Sequence, residues 1–138
     1  MTTKEAVDKK LSVGSLGEEL AAKYLKSLGW KIITRNHKTR VGEIDIVARE
    51  PGGVLVMVEV KTLSGNAESL HRLVPEDHLT FHKLSKLRAL SAQFSNRYPQ
   101  LVQERHGWRI DLVAVNYLYK MDLTELVKSG NLRHYENL

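Results

Sequence analysis

The sequence predicts an α/β fold in which a helix, three strands, a second helix and a further strand follow one another. Three observations predict it. Apolar residues recur at helical spacing over residues 15–28 and again over 76–97. Runs rich in β-branched residues, including 42–48, 54–61 and 108–115, alternate at period two. A Pro-Gly-Gly turn joins two of those runs.

The 138 residues suit one domain spanning 1–138, and 42% hydrophobic with 27% charged residues is ordinary globular composition. No run of about 18 apolar residues occurs, and Met1-Thr2-Thr3-Lys4-Glu5 lacks the apolar core of a signal peptide. No membrane partner and a cytoplasmic location are therefore expected. The absence of cysteine excludes disulfides, thiolate ligands and thiol nucleophiles. Any metal must be held by oxygen or histidine, which favours a hard ion, magnesium or manganese.

Residues 1–11 are polar and expected to be disordered. The first helix, 15–28, carries Leu16, Leu20, Ala21, Tyr24, Leu25 and Leu28 at helical spacing and stops at Gly29. Ser15-Leu16-Gly17-Glu18 matches a capping box, so Glu18 could serve only as a cap. It also shares a face with Ala21, Ala22 and Leu25, turned toward the sheet, whereas Glu19 lies with Lys23 and Lys26 on a solvated face. Glu18 is therefore a candidate site residue.

Residues 30–35 read as a strand, followed by a basic loop through Asn36 and His37. The hairpin comes next. In 54–61 the valines fill one face, leaving Leu55, Met57, Glu59 and Lys61 on the other, and in 42–48 Ile44, Ile46 and Ala48 oppose Glu43, Asp45 and Val47. A three-residue loop of Pro51, Gly52 and Gly53 sets Glu50 against Val54 and Asp45 against Glu59, while a four-residue loop separates the two acids. With the first register, two carboxylates and Lys61 converge as a cation and an activated water require. Alternatively, Lys61 is an ordinary ion-pair partner of Glu59 or Glu43.

Residues 62–74 show no clear period and are expected to form a long loop. The second helix, 76–97, presents Leu84, Leu87, Leu90 and Phe94 inward, and 108–115 is the last clear strand. Asp111, on the side of Val113 and Val115, is expected to be a structural pairing partner. His78 and His82, one turn apart, lack a third ligand and read as surface histidines.

The net charge of +5 is unevenly spread. Residues 20–42 hold Lys23, Lys26, Lys31, Arg35, Lys38 and Arg40 without an acid, and residues 78–103 hold Lys83, Lys86, Arg88 and Arg97, again without one. Such blocks flanking an acidic centre suit a phosphate backbone, with Arg35, Lys38, Arg40, Lys83 and Lys86 as candidate nucleic-acid contacts.

The order helix, three strands, helix, strand resembles the restriction-endonuclease-like fold, an α-β-β-β-α-β core with a mixed central sheet flanked by helices, whose active site is written PD-(D/E)xK. Asp45 stands for the Asp and Glu59-Val60-Lys61 for the E-x-K. More specifically, Gly14-Ser15-Leu16-Gly17-Glu18-Glu19-Leu20, Arg35-Asn36, Gly42-Glu43-Ile44-Asp45, Val58-Glu59-Val60-Lys61, Arg109-Ile110-Asp111 and the tail 132–138 resemble the YraN-like family of bacterial proteins, itself similar to archaeal Holliday-junction resolvases. The resemblance covers most of the chain. It implies Glu18, Asp45 and Glu59 as acidic ligands, the Val60 carbonyl completing a magnesium or manganese site, and Lys61 as base or water-orienting group. Leu63 stands where that family often has arginine, and no proline precedes Asp45, a position dispensable in the superfamily.

The expected function is therefore metal-dependent hydrolysis of DNA phosphodiesters, with branched or repair intermediates as substrates. A lysine becomes a base only when desolvation outweighs nearby anions, so orienting water is the expected role of Lys61. The expected partner is nucleic acid, DNA ahead of RNA, with a homodimer as an allowed assembly. The rival reading is a non-catalytic nucleic-acid-binding or partner-docking module on the same fold.

Overall fold

The computed structural model describes residues 13–64, 79–117 and 121–138. Helix α1 (Val13–Ser27) leads into strands β1 (Lys31–Lys38), β2 (Glu43–Arg49) and β3 (Leu55–Ser64). Helix α2 (Phe81–Arg97) and a short 3-10 turn (Pro99–Leu101) precede β4 (Trp108–Tyr117), and α3 (Leu123–Lys128) and β5 (Leu132–Tyr135) close the chain. The strands form one mixed sheet in the order β1-β2-β3-β4-β5. This is the expected α-β-β-β-α-β core with one helix and one strand added.

The β2–β3 hairpin takes the register of the three-residue loop. Arg49 faces Leu55 and Ile46 faces Val58, while Glu50 N–H donates to Val54 O at 3.0 Å and Gly53 N–H to Glu50 O at 2.9 Å. Gly53 sits at φ 103°, where a side chain would be strained. β3 and β4 run parallel, from Leu55 beside Trp108 to Ser64 beside Tyr117. Parallel neighbours need a long crossover, and α2 lies within it.

Each face of the sheet is covered. Ala21, Ala22 and Leu25 of α1 pack on Ile46, Ala48, Val56, Val58, Val60, Val113 and Val115. On the other face Leu87, Leu90 and Phe94 of α2 pack on Ile44, Val47, Leu55, Met57 and Ile110. Ile44 thus departs from the expected alternation, for it lies with Val47 on the α2 side while Ile46 faces α1. The switch falls at Asp45, across from which β1 carries Asn36 at φ 52°, a left-handed residue that locally rotates the strand.

Other expectations need correction at their ends. β1 continues through the expected loop to Lys38, because His37 pairs with Ile44 and Lys38 with Glu43. The tight turn is shorter than expected: Thr39 Oγ1 accepts from Val41 N–H (3.1 Å) and Gly42 N–H (3.2 Å). α1 already begins by Val13, so Ser15 lies inside it and not before its first turn. α2 starts at Phe81 rather than 76, since Thr80 Oγ1 caps it by accepting from Lys83 N–H at 3.2 Å. Residues 62–64, expected in a loop, extend β3 against β4. The remainder of that loop, residues 1–11 and His78 lie outside the described residues. His82 is exposed.

β5 went unforeseen. It pairs antiparallel with β4, Leu112 opposite Tyr135 and Val115 opposite Leu132. Asp111, fully buried, ties this edge together: its oxygens accept from Arg109 Nε (3.0 Å) and Asn137 N–H (3.0 Å) and bond His134 Nε2 (2.8 Å). Those bonds hold its carboxyl below the usual range despite burial. Its part is structural, as the sequence suggested.

Candidate metal centre

Three elements converge where the β2–β3 ladder ends. α1 approaches β3 at Gly17, where a Cβ would overlap Thr62 Oγ1 and come within 2.7 Å of Thr62 Cβ. Only glycine allows that approach. The next residue, Glu18, is thereby carried to the rim of the sheet, half-buried.

Asp45 occupies the middle of the arrangement. The β2–β3 ladder ends at the Ile46–Val58 pair, and beyond it Val60 N–H donates to Asp45 Oδ2 at 2.8 Å, a strand donor satisfied by a carboxylate. Both main-chain polar groups of a strand residue point the same way, so the Val60 carbonyl is directed to the same side. The carboxyls of Glu59 and Glu18 lie close enough to that of Asp45 to shift its titration and to be shifted by it. Oxygens of Glu18, Glu43 and Asp45 all lie within 4.8 Å of one another.

Acids this close repel when ionised, and burial removes the water that would screen them. Burial, followed by the charges of Asp45 and Glu43, raises the Glu18 carboxyl to about 7. Burial and then the Asp45 charge raise Glu59 to about 8, against the opposing pull of Lys61 and Lys83. Burial also raises Asp45, countered by the Val60 hydrogen bond. Raised in this way, Glu59 and Glu18 bind protons more readily than ordinary carboxyls where no cation offsets the charge. An all-oxygen set of this spacing suits a hard divalent ion, which would displace those protons.

Lys61, two residues beyond Glu59 on β3, shares its strand face. Lys83 and Lys86 of α2 line a hollow of about 200 Å³ together with Gly42, Glu43, Glu59 and Leu87. Lys38 and Arg40 are exposed, with Lys38 paired to Glu43 in the β1–β2 ladder. Arg35 differs from the others, since its guanidinium bonds Glu19 at 2.9 Å. It acts on the centre from there, its charge pulling Glu18 down.

Two residues of the centre escaped the sequence reading. Glu43 belongs to the acidic group, and its place two residues before Asp45 was the available signal. Asn36, with its amide nitrogen turned toward the carboxylates, donates to Glu18 Oε2 and Glu43 Oε1, each at 2.9 Å. A second group of possible ligands, Asp111, His134 and Glu136, is closed by the bonds that lock β5.

The family model described as "Uncharacterised protein family UPF0102" matches residues 17–115, a span containing every acid of the centre. Among similar proteins, a UPF0102 protein of Pelotomaculum thermopropionicum is 35% identical over 130 residues, 94% of this chain and 97% of its own. One from Desulforamulus reducens is 43% identical over 83 residues, 60% of this chain and 65% of its own. One from Rhodococcus opacus is 39% identical over 107 residues, 76% and 82% respectively.

Proposed function

This chain belongs to uncharacterised protein family UPF0102, and on that premise we propose that it is a metal-dependent endonuclease acting on DNA. The observation that carries the reading is the Asp45 carboxyl, which accepts from Val60 N–H where two strands part and gathers with the Glu18 and Glu43 carboxyls within 4.8 Å. Paired acids followed two residues on by a lysine, at the end of a hairpin, match the PD-(D/E)xK arrangement.

Asp45, Glu59, Glu18 and the Val60 carbonyl would hold magnesium or manganese, with Glu43 close enough to join. When bound, such an ion supplies a Lewis acid that offsets the charge a phosphodiester gathers during hydrolysis. Lys61 orients the attacking water and contacts the phosphate. Asn36 braces Glu18 and Glu43 so that neither swings to solvent. Lys38, Arg40, Lys83 and Lys86 bring the backbone to the centre by charge. Arg35 contributes less to that attraction than the sequence suggested, being paired with Glu19.

The rival, a binding module without turnover, predicts DNA binding indifferent to metal. The two separate in one assay: labelled branched and linear DNA incubated with magnesium or manganese, using wild type and Asp45→Asn. Cleavage by the wild type alone supports the proposal. Binding without cleavage on every substrate and with both metals overturns it.

A further inference from the structure

The helix α2 presents Lys83, Lys86, Leu90, Gln93 and Arg97 along one stripe, because steps of three and four residues return to the same face. Its first part borders Glu43 and Glu59, as described. Its last part borders a separate hollow of about 580 Å³, lined by His37, Lys38, Gln93, Phe94, Arg97 and Tyr98 among others. Leu90 lines both, and Lys38 pairs with Glu43 across the ladder, so the two adjoin. Seven residues separate Lys86 from Gln93, roughly 10 Å along the helix axis.

The chemistry of this hollow divides in two. Its outer wall is cationic, with exposed Lys38 and Arg97, and no acid lines it. Its inner wall is aromatic. His37 meets Phe94 edge-on with ring centroids 5.0 Å apart, Phe94 meets Tyr98 at 4.8 Å, and the Arg97 guanidinium lies over Tyr98 at 5.7 Å. Behind His37, Phe94 and Tyr98 a recess of about 200 Å³ continues between Ile33, Thr34 and Leu101. An aromatic interior of edge-on and tilted rings behind a cationic rim, with the Gln93 amide also in the lining, is complementary to one unstacked nucleotide: base inward, phosphate outward. A duplex keeps its bases stacked and offers nothing to the inner wall.

We propose that this hollow is a nucleotide pocket that holds a single-stranded segment of DNA beside the carboxylate centre, so that the favoured substrates carry an unpaired strand. The proposal deepens the nucleic-acid reading of that centre and depends on it for the path of the strand. It needs no turnover.

The test is fluorescence anisotropy in EDTA, with a labelled single-stranded oligonucleotide and a blunt duplex of the same length. Proteins are wild type, Arg97→Glu, Asp45→Asn, and Lys128→Glu as a charge control on α3. Wild type and Lys128→Glu should bind the single strand about tenfold tighter than the duplex, and Arg97→Glu should lose most of that preference. A 2-aminopurine placed in the oligonucleotide should change its fluorescence on binding to wild type and much less with Arg97→Glu, which a general loss of charge would not produce. Equal affinity for both DNAs, or unchanged single-strand binding and fluorescence with Arg97→Glu, overturns the pocket. Asp45→Asn should keep the single-strand preference, and the same preference in a wild type that cleaves none of the DNAs with magnesium or manganese would sink the nuclease reading while upholding this one.

Discussion

Glu59 combines the proposed ligand role with an unusual titration, and the sign of its effect on stability follows directly. Its folded value of about 8 stands above the ordinary 4.5, chiefly through burial and the Asp45 charge. A carboxyl raised on folding contributes stability that is fully present below about 4.5 and is lost as pH rises through about 8. Glu59→Gln, which cannot ionise, should therefore gain melting temperature over wild type progressively from about pH 5 to about pH 9 in the presence of chelator. A pH-independent difference between the two melts would show that Glu59 is not held in its protonated form. At this scale the sequence was partly legible. Asp45, Glu59 and Glu18 could be placed by alternation and helical spacing, but Asn36 could not, because its contribution depends on a left-handed backbone within a strand that no periodicity marks.

Among the elements, the seat of α1 on β3 decides whether Glu18 reaches the centre at all. Gly17→Ala would drive a methyl into Thr62, so the helix must back away or the threonine must turn. The expected cost is about 1–3 kcal/mol in denaturant unfolding, as for other overpacked contacts. It should be accompanied by weaker magnesium binding in calorimetry, since Glu18 moves with the helix. Wild-type stability together with wild-type magnesium affinity would mean that the close approach is not required. The hairpin register was legible because Pro51-Gly52-Gly53 fixes the loop length and the length fixes every cross-strand pair. β5 was not, for Leu132–Tyr135 has only four residues and alternates weakly. Its place is set by Asp111, a contact across more than twenty residues of sequence. The start of α2 was misplaced because apolar spacing continues upstream of the Thr80 cap that ends it.

At the scale of the molecule, helices cover both faces of one mixed sheet, and the carboxylates gather at the point where its central hairpin opens. Composition and element order were enough to anticipate this architecture, whereas the aromatic hollow beside α2 joins residues from β1 and α2 that no local pattern connects. No helix among the described residues is long and apolar enough to cross a membrane. The central claim is that the clustered acids form a cation site and not a structural ion pair. Asp45→Asn tests it, because an asparagine oxygen can still accept from Val60 N–H while the charge is gone. Thermal melts of wild type and this variant, each with and without magnesium, give opposite signs for the two possibilities. The cation site predicts a metal-free variant as stable as wild type or more so by about 0.5–2 kcal/mol, with the magnesium-induced rise in Tm abolished. A metal-free variant destabilised by about 3 kcal/mol or more that still responds to magnesium would contradict it, for that is how a buried cation deprived of its partner behaves.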